Sequence, residues 1–183
     1  MPSKPELEMF KAMSHLSETI APLINSTGSL QFPTLLGLAL EQLVPYDSLI
    51  ITRFDDQPVV EHIRHPLKSF ADDAQSYASA AYLLDPFYRA AVDQGTSGFR
   101  TLGFLAPDGF GESEYYKLYY RKTRLGDECG YLIHLAKGGF LNIGICRLTR
   151  NPPFSDSETG LLKACCREHP LIPAMCISSG HSA

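Results

Sequence analysis

Two neighbouring segments, 128–136 and 140–148, constrain the fold most, because both of their alternating residue sets are apolar. The sets are Tyr131, Ile133 and Leu135 against Leu132 and His134, then Ile143 and Ile145 against Gly144 and Cys146. Successive side chains of a strand point to opposite faces of its sheet, so strands of this kind must be covered on both faces. Lys137, Gly138 and Gly139 between them indicate a tight turn. The pattern therefore predicts a hairpin inside a sheet that lies between two layers of helices.

The rest of the chain supplies further strands and the helices of both layers. Apolar spacings of three and four predict a helix, and short β-branched runs bounded by turn residues predict a strand. The predicted helices cover 6–24, 33–43, 67–94 in two pieces split at Asp85 and Pro86, 112–123, and 155–169. The remaining strands are predicted at 48–54, 59–65 and 99–104. Ser155 and Glu158 have the spacing of a capping box at the start of the last helix.

This order, α-α-β-β-α-α-β-α-β-β-α, predicts one domain of the α/β (α+β) class. We expect a three-layer α-β-α sandwich around an antiparallel five-stranded sheet, over residues 1–177, with 178–183 as a linker or tail. A ligand would fit most naturally between the sheet and the mid-chain helices.

Composition argues against several classes of protein. The 16 basic and 20 acidic side chains give a net charge of −4, whereas a free-standing DNA-binding module should be basic. The five cysteines have no repeating spacing, the first residues lack the apolar core of a signal peptide, and no apolar run is long enough to cross a bilayer. We therefore expect reduced thiols and a cytoplasmic protein with no membrane contact.

The chain carries no recognisable catalytic or metal-binding motif. His62 and His65 are three apart on a predicted strand and so point to opposite faces, and no Gly-x-Ser-x-Gly or phosphate-binding glycine loop occurs. Cys129 and Cys146 lie on neighbouring predicted strands, where they could meet in a pocket or serve as small apolar core residues. We predict a protein that is not an enzyme and holds no metal or cofactor; a thiol-dependent enzyme is the alternative.

Four tyrosines fall within six positions of the helix predicted at 112–123, namely Tyr115, Tyr116, Tyr119 and Tyr120. A buried tyrosine combines apolar area with a hydroxyl that needs a partner. These side chains could pack on the sheet with their hydroxyls towards solvent, or could offer hydroxyls to the polar head of a ligand. Both interpretations remain open.

A second aromatic group surrounds one carboxylate in the middle of the chain, with members Tyr77, Tyr82, Phe87, Tyr88 and Phe99 around Asp85. Asp85 precedes Pro86 and is well placed to cap the helix that begins there. A carboxylate facing an apolar pocket would also accept a hydrogen bond from a ligand. The two roles are compatible, because a carboxylate has two oxygens.

Several ordered segments resemble the ligand-binding domains of LuxR-type transcription regulators, in particular those with a GAF-like sensor domain. The segments are 82–90 around Asp85-Pro86, 106–110, 113–120, 125–130, and Phe154-Ser155. In the family members that bind acyl-homoserine lactones, the aspartate meets the ligand amide, and tyrosines precede it at about the distances of Tyr77 and Tyr82. The resemblance implies a GAF- or PAS-like sensor of small molecules.

One difference concerns the ligand: a tryptophan is common in the lactone pocket, but this chain has none, and Phe99 or Arg100 stands near that place. The effector therefore stays unknown. We expect a homodimer, with DNA bound only through a helix-turn-helix that would follow Ala183. Either the chain is a sensor fragment or it is a natural short protein.

Together these observations predict a domain that binds an effector and so controls dimerisation or DNA binding. A dimerisation module without a ligand is a further alternative. The candidate ligand-binding residues are Tyr77, Tyr82, Asp85, Phe87, Phe99, Tyr116, Tyr119, Cys129 and Tyr131.

Overall fold

A computed structural model describes residues 18–67, 70–136 and 138–168, except the side chains of 71–74, 76 and 165–168. The predicted beginning of the first helix at Glu6, the prolines Pro170 and Pro173 after the last helix, and the tail 178–183 lie outside the described residues.

Five antiparallel strands form one sheet in the order β2-β1-β5-β4-β3. The strands are β1 (Ser48–Phe54), β2 (Pro58–Arg64), β3 (Gly98–Thr101), β4 (Leu125–His134) and β5 (Phe140–Leu148). The hairpins β1–β2 and β4–β5 join through the β1–β5 pair, in which Ile51 lies opposite Ile143. The predicted antiparallel five-stranded sheet is confirmed.

The helices lie on both faces of this sheet. They are α1 (residues 18–25), α2 (Phe32–Leu43), α3 (Phe70–Ser79), α4 (Pro86–Gln94), α5 (Leu102–Leu105), α6 (Arg121–Thr123) and α7 (Asp156–Glu168). Single 3₁₀ turns occur at Ala81–Leu84 and Phe110–Glu112, and a π-helical turn, Tyr116–Tyr120, leads directly into α6. Among the described residues, no helix has the length and apolar character needed to cross a membrane.

The strand predicted at 99–104 is shorter than expected. It ends at Thr101, and α5 follows at once, with Leu102 turned into the core. Gly103 has a low strand propensity, and the burial of Leu102 favours the turn.

Each face of the sheet has its own apolar core, as the two-sided pattern of the second hairpin predicts. On one face, α1, α2 and α7 cover Tyr131, Ile143 and Ile145. On the other, α3, α4 and the helix that ends in α6 cover Leu132 and Cys146. A one-residue step along a strand exchanges the two cores, so the register decides which side chains can share a site.

The last helix is fastened to the sheet by one buried arginine. Arg147 of β5 donates to both carboxylate oxygens of Glu158, at 2.6 and 3.3 Å, and to the carbonyls of Pro45, Pro152 and Pro153. Glu158 also accepts from the backbone N–H of Ser155 at 2.8 Å, which confirms the predicted capping box.

Candidate functional site: a cavity with two carboxylates

A small cavity lies between the sheet and the helices on the face that carries Leu132. Its volume is about 20 Å³, which has room for about one water molecule. The wall is lined by Ile50, Thr52, Val60, Tyr77, Asp85, Tyr115, Tyr119, Leu125, Glu128, Asn142 and Gly144. We call this space the carboxylate cavity, after Asp85 and Glu128.

Asp85 sits at the N-terminus of α4, with an exposed fraction of 5%. Its Oδ1 accepts from the backbone N–H of Phe87 at 2.8 Å, so the predicted helix cap is confirmed. Its Oδ2 accepts from the hydroxyl of Tyr77 at 2.5 Å, and the Tyr115 hydroxyl is a further partner. Burial raises the pKa of this carboxyl to about 6, although these hydrogen bonds act in the opposite direction.

The tyrosine-rich helix approaches the sheet with three buried side chains, Tyr115, Tyr119 and Tyr120. The π-helical turn widens the helix by one residue at this point, since the N–H of Arg121 bonds to the carbonyl of Tyr116. Tyr115 and Tyr119 stack with ring centroids 5.5 Å apart. The turn thus presents consecutive tyrosines, 119 and 120, to the same core.

Glu128 reaches the cavity from β4. It is partly buried, and its Oε2 accepts a short hydrogen bond from the hydroxyl of Tyr120. Burial raises the pKa of this carboxyl to about 8, and the nearby charges of Asp85 and Asp127 raise it further.

Gly144 makes room for the Glu128 carboxylate on the neighbouring strand. A Cβ at position 144 would lie 2.8 Å from Glu128 Oε1, closer than carbon and oxygen normally approach. The missing side chain therefore lets the carboxylate lie across β5.

Asn142 of β5 contributes an amide to the same wall, opposite Thr52 of β1. Its exposed fraction is 7%, and its Oδ1 is buried without a hydrogen-bond partner among the described residues. A buried acceptor of this kind costs free energy unless something donates to it.

Three of the nine candidate residues line the cavity: Tyr77, Asp85 and Tyr119. Tyr82, Phe87 and Tyr116 belong to the same core but stand behind the wall. Phe87 belongs to α4 and is fully buried. Tyr82 packs edge-to-face on Tyr88, and Tyr116 packs edge-to-face on Phe110. Their predicted contact with a ligand stays a prediction.

Phe99, Cys129 and Tyr131 lie on the opposite face of the sheet, in the core under α2 and α7. Phe99 packs on Tyr131 with ring centroids 5.3 Å apart, and the Tyr131 hydroxyl donates to the carbonyl of Leu162 at 2.8 Å. The structure does not bring these three residues together with Asp85, because the side chains at their strand positions point to the face of the sheet away from the cavity.

The two strand cysteines cannot form one thiol site. Cys129 lies opposite Ile145 and Cys146 lies opposite Glu128, so the two thiols point to different faces of the sheet. Both are fully buried, and burial raises the pKa of both thiols. The alternative of a pocket shared by this pair is therefore wrong. In the part of the chain that the structure describes, no cluster of three or more metal-ligating side chains occurs.

Glu128, Asn142 and Thr52 line the cavity but are not among the candidate residues predicted from the sequence. The sequence held a signal for two of them. Glu128 and Asn142 are polar residues on predicted strands covered on both faces, and each has the parity of the core that contains Leu132 and Cys146. A polar side chain at such a position needs a partner, which marks a candidate site.

No protein-family model matches the chain, and no curated protein matches it. Solved structures of similar fold exist. The ligand-binding domain of VqsR from Pseudomonas aeruginosa has a TM-score of 0.74 at 21% identity, over 88% of this chain and 94% of that one. The N-acylhomoserine-lactone-dependent LuxR family transcription factor CepR2 from Burkholderia cenocepacia has a TM-score of 0.60 at 13% identity, over 93% and 99%.

A GAF domain/HD domain protein from Geobacter sulfurreducens is also similar, with a TM-score of 0.51 at 18% identity, over 90% of this chain and 92% of that one. The chain thus has the GAF-like fold of LuxR-type ligand-binding domains. The predicted resemblance is confirmed at the level of the fold.

Proposed function

We propose that this chain is the sensor domain of a LuxR-type regulator and that its small-molecule effector binds in the carboxylate cavity. The observation that carries the proposal is the buried group formed by Asp85, Tyr77 and Tyr115 at a cavity between sheet and helices. Polar groups that converge on a cavity of this kind are typical of ligand sites.

The effector would couple the sheet to the helices that cover it. The cavity holds about one water, so a larger molecule has to displace the helix that carries Tyr115 and Tyr119. A ligand that binds the displaced state better than the closed state shifts the population towards it. Dimerisation and DNA binding are the outputs that we expect this shift to control, the latter through a separate helix-turn-helix.

A thermal-shift screen over metabolites and lactones tests the proposal. A ligand at 100 times its dissociation constant adds about 2.7 kcal/mol to the stability, which corresponds to a rise in Tm of about 5–10 °C. Asp85→Asn and Tyr115→Phe should lose most of this shift, because both remove a contact at the cavity wall. Tyr88→Phe is the matched control, since Tyr88 stands outside the wall and is not one of the candidate ligand-binding residues.

The control should respond like the wild type. If Asp85→Asn and Tyr115→Phe also keep the full shift, the ligand binds elsewhere. If no compound shifts the transition, the interpretation as a ligand-free dimerisation module replaces the proposal.

A further inference from the structure

We infer that the effector enters the carboxylate cavity with a small cationic, hydrogen-bond-donating head group, such as a primary ammonium, on a short apolar chain. This inference rests on the proposed function and specifies the chemical class of the ligand. It is carried by the acceptors of the cavity that lack a donor.

The first such acceptor is Asn142 Oδ1. It is buried at the cavity wall and has no hydrogen-bond partner among the described residues. A carbonyl oxygen can only accept, so the missing partner must bring an N–H or O–H.

The second acceptor is Glu128. Tyr120 donates to its Oε2, and no hydrogen bond to Oε1 is seen within the described residues. Oε1 lies over Gly144, where the absence of a side chain leaves room for it. Glu128, Asn142 and Gly144 all line the same cavity.

Asp85 differs from Asn142 and Glu128, because both of its carboxylate oxygens already accept hydrogen bonds. The hydroxyls of Tyr77 and Tyr115 and the backbone N–H of Phe87 all bond to it. Asp85 therefore adds negative charge to the cavity while leaving Glu128 and Asn142 as the acceptors open to a ligand.

Among the described residues, the cavity wall has two acidic side chains and no lysine, arginine or histidine. Burying a carboxylate without a cation is costly, and a ligand that supplies the positive charge recovers part of that cost. A carboxylate ligand would be repelled by Asp85, and a ligand headed by a carbonyl would set a further acceptor against Asn142 Oδ1.

The size and lining of the cavity agree with this chemistry. An ammonium group is close to a water molecule in size, and the cavity has room for about one. Its three N–H groups can serve Glu128 and Asn142 together. Ile50, Val60 and Leu125 form the apolar part of the wall. A short hydrocarbon chain would pack on them once the helix that carries Tyr115 and Tyr119 is displaced.

The titration of Glu128 supports the inference. The described groups that interact electrostatically with its carboxyl are acidic or neutral and include Asp85, Asp127, Tyr120 and Cys146. Its raised pKa of about 8 means that the carboxyl holds a proton at neutral pH when nothing cationic is bound. A bound ammonium would take the place of that proton.

Four probes with the same carbon chain test the head group: butylammonium chloride, 1-butanol, sodium butyrate and N-butanoyl-homoserine lactone. Their binding to the full chain is followed by saturation-transfer NMR. We expect butylammonium to bind at least about tenfold more tightly than butanol and butyrate, because a charge-assisted hydrogen bond contributes about 1.5–3 kcal/mol.

Glu128→Gln keeps the shape of the side chain and should weaken butylammonium binding by about tenfold or more. Asn142→Leu removes the open acceptor, keeps the branch at Cγ and should also weaken butylammonium binding. Glu112→Gln is the matched control, because Glu112 is an exposed residue paired with Lys117 outside the cavity, and its binding should equal that of the wild type.

The outcomes separate the inference from the proposed function. If the lactone or butanol binds in an Asp85-dependent way and butylammonium does not, the inference is overturned and the sensor function stands. If no probe binds, the inference is overturned, and the thermal-shift screen decides the proposed function separately. Butylammonium binding that is unchanged in both Glu128→Gln and Asn142→Leu would also overturn the inference, since the amine would then bind elsewhere.

Discussion

The Tyr77 hydroxyl donates a 2.5 Å hydrogen bond to Asp85 Oδ2, and this contact ties the end of α3 to the start of α4. Both residues are buried, with exposed fractions of 6% and 5%. Burial raises the pKa of the Tyr77 hydroxyl well above its usual value, and the charge of Asp85 adds to this effect. Tyr77 therefore remains a neutral donor at physiological pH.

Tyr77→Phe should lower the free energy of unfolding by about 1–3 kcal/mol, because a buried carboxylate loses one of its donors. Urea denaturation of the purified protein measures the change. Tyr116→Phe serves as control and should stay within about 0.5 kcal/mol of the wild type, as a partly buried residue outside the cavity. Equal stability of Tyr77→Phe and wild type would show that the contact contributes nothing to the fold.

Glu128→Gln should change how stability depends on pH. The folded-state pKa of Glu128, about 8, lies above its usual value of 4.5, so the folded state holds the proton more tightly than the unfolded state. The stabilisation from this proton is complete below pH 4.5 and is lost as the pH rises through about 8. The stability of Glu128→Gln relative to wild type should therefore rise across this interval, by at most about 1.4 kcal/mol per pH unit.

Urea titrations at intervals between pH 4.5 and 9 supply the two curves. Glu112→Gln, at the exposed pair with Lys117, should follow the wild type throughout. A constant difference between Glu128→Gln and wild type over the whole range would mean that the Glu128 carboxyl titrates normally.

Gly130→Ala should destabilise the sheet by at least about 2 kcal/mol. A Cβ at this position would lie 2.5 Å from the carbonyl oxygen of Ile143, which is backbone and cannot move aside cheaply. Gly160→Ala is the opposite case, because the added carbon in α7 would meet no described atom within 4 Å apart from the backbone of its own helix. It should raise stability by about 0.5–1 kcal/mol through helix propensity. Thermal unfolding measures the stability of both variants. A Gly130→Ala protein as stable as wild type would contradict the close pairing of β4 with β5 at this position.

Arg147→Met should cost about 2–4 kcal/mol, because it removes the bidentate contact to Glu158 and donors to three carbonyls from a side chain that is only 9% exposed. Arg150→Met should cost less than about 1 kcal/mol, because the Arg150 side chain that pairs with Asp47 is 63% exposed. The hydrogen bonds from Arg147 lower the pKa of Glu158 to about 2, so the pair's contribution is present above pH 4.5 and is lost as the pH falls towards 2. Urea unfolding at pH 7 measures the cost of each variant, and a repeat at pH 3 measures the loss of the Arg147–Glu158 contribution. Equal costs for the two arginine variants at pH 7 would contradict the special role of Arg147.

The local features could be predicted from the sequence because they depend on short periods. Apolar residues at both parities in β4 and β5 determined that the sheet has two covered faces. The Asp85 cap and the Ser155–Glu158 capping box involve residues two and three positions apart, and both occur as predicted.

Which residues share the cavity was decided only by the tertiary structure. Tyr77, Asp85, Glu128 and Asn142 come from four elements, and they meet because β4 and β5 pair in one register and a π-helical turn sets Tyr119 and Tyr120 against the sheet. The same register sends Phe99, Cys129 and Tyr131 to the opposite core. Periodicity along a strand or helix is local information, whereas the docking of one layer on another depends on packing between residues far apart in the chain. For that reason the sequence by itself determined the layers and the helix caps, and the packing of the layers determined the site.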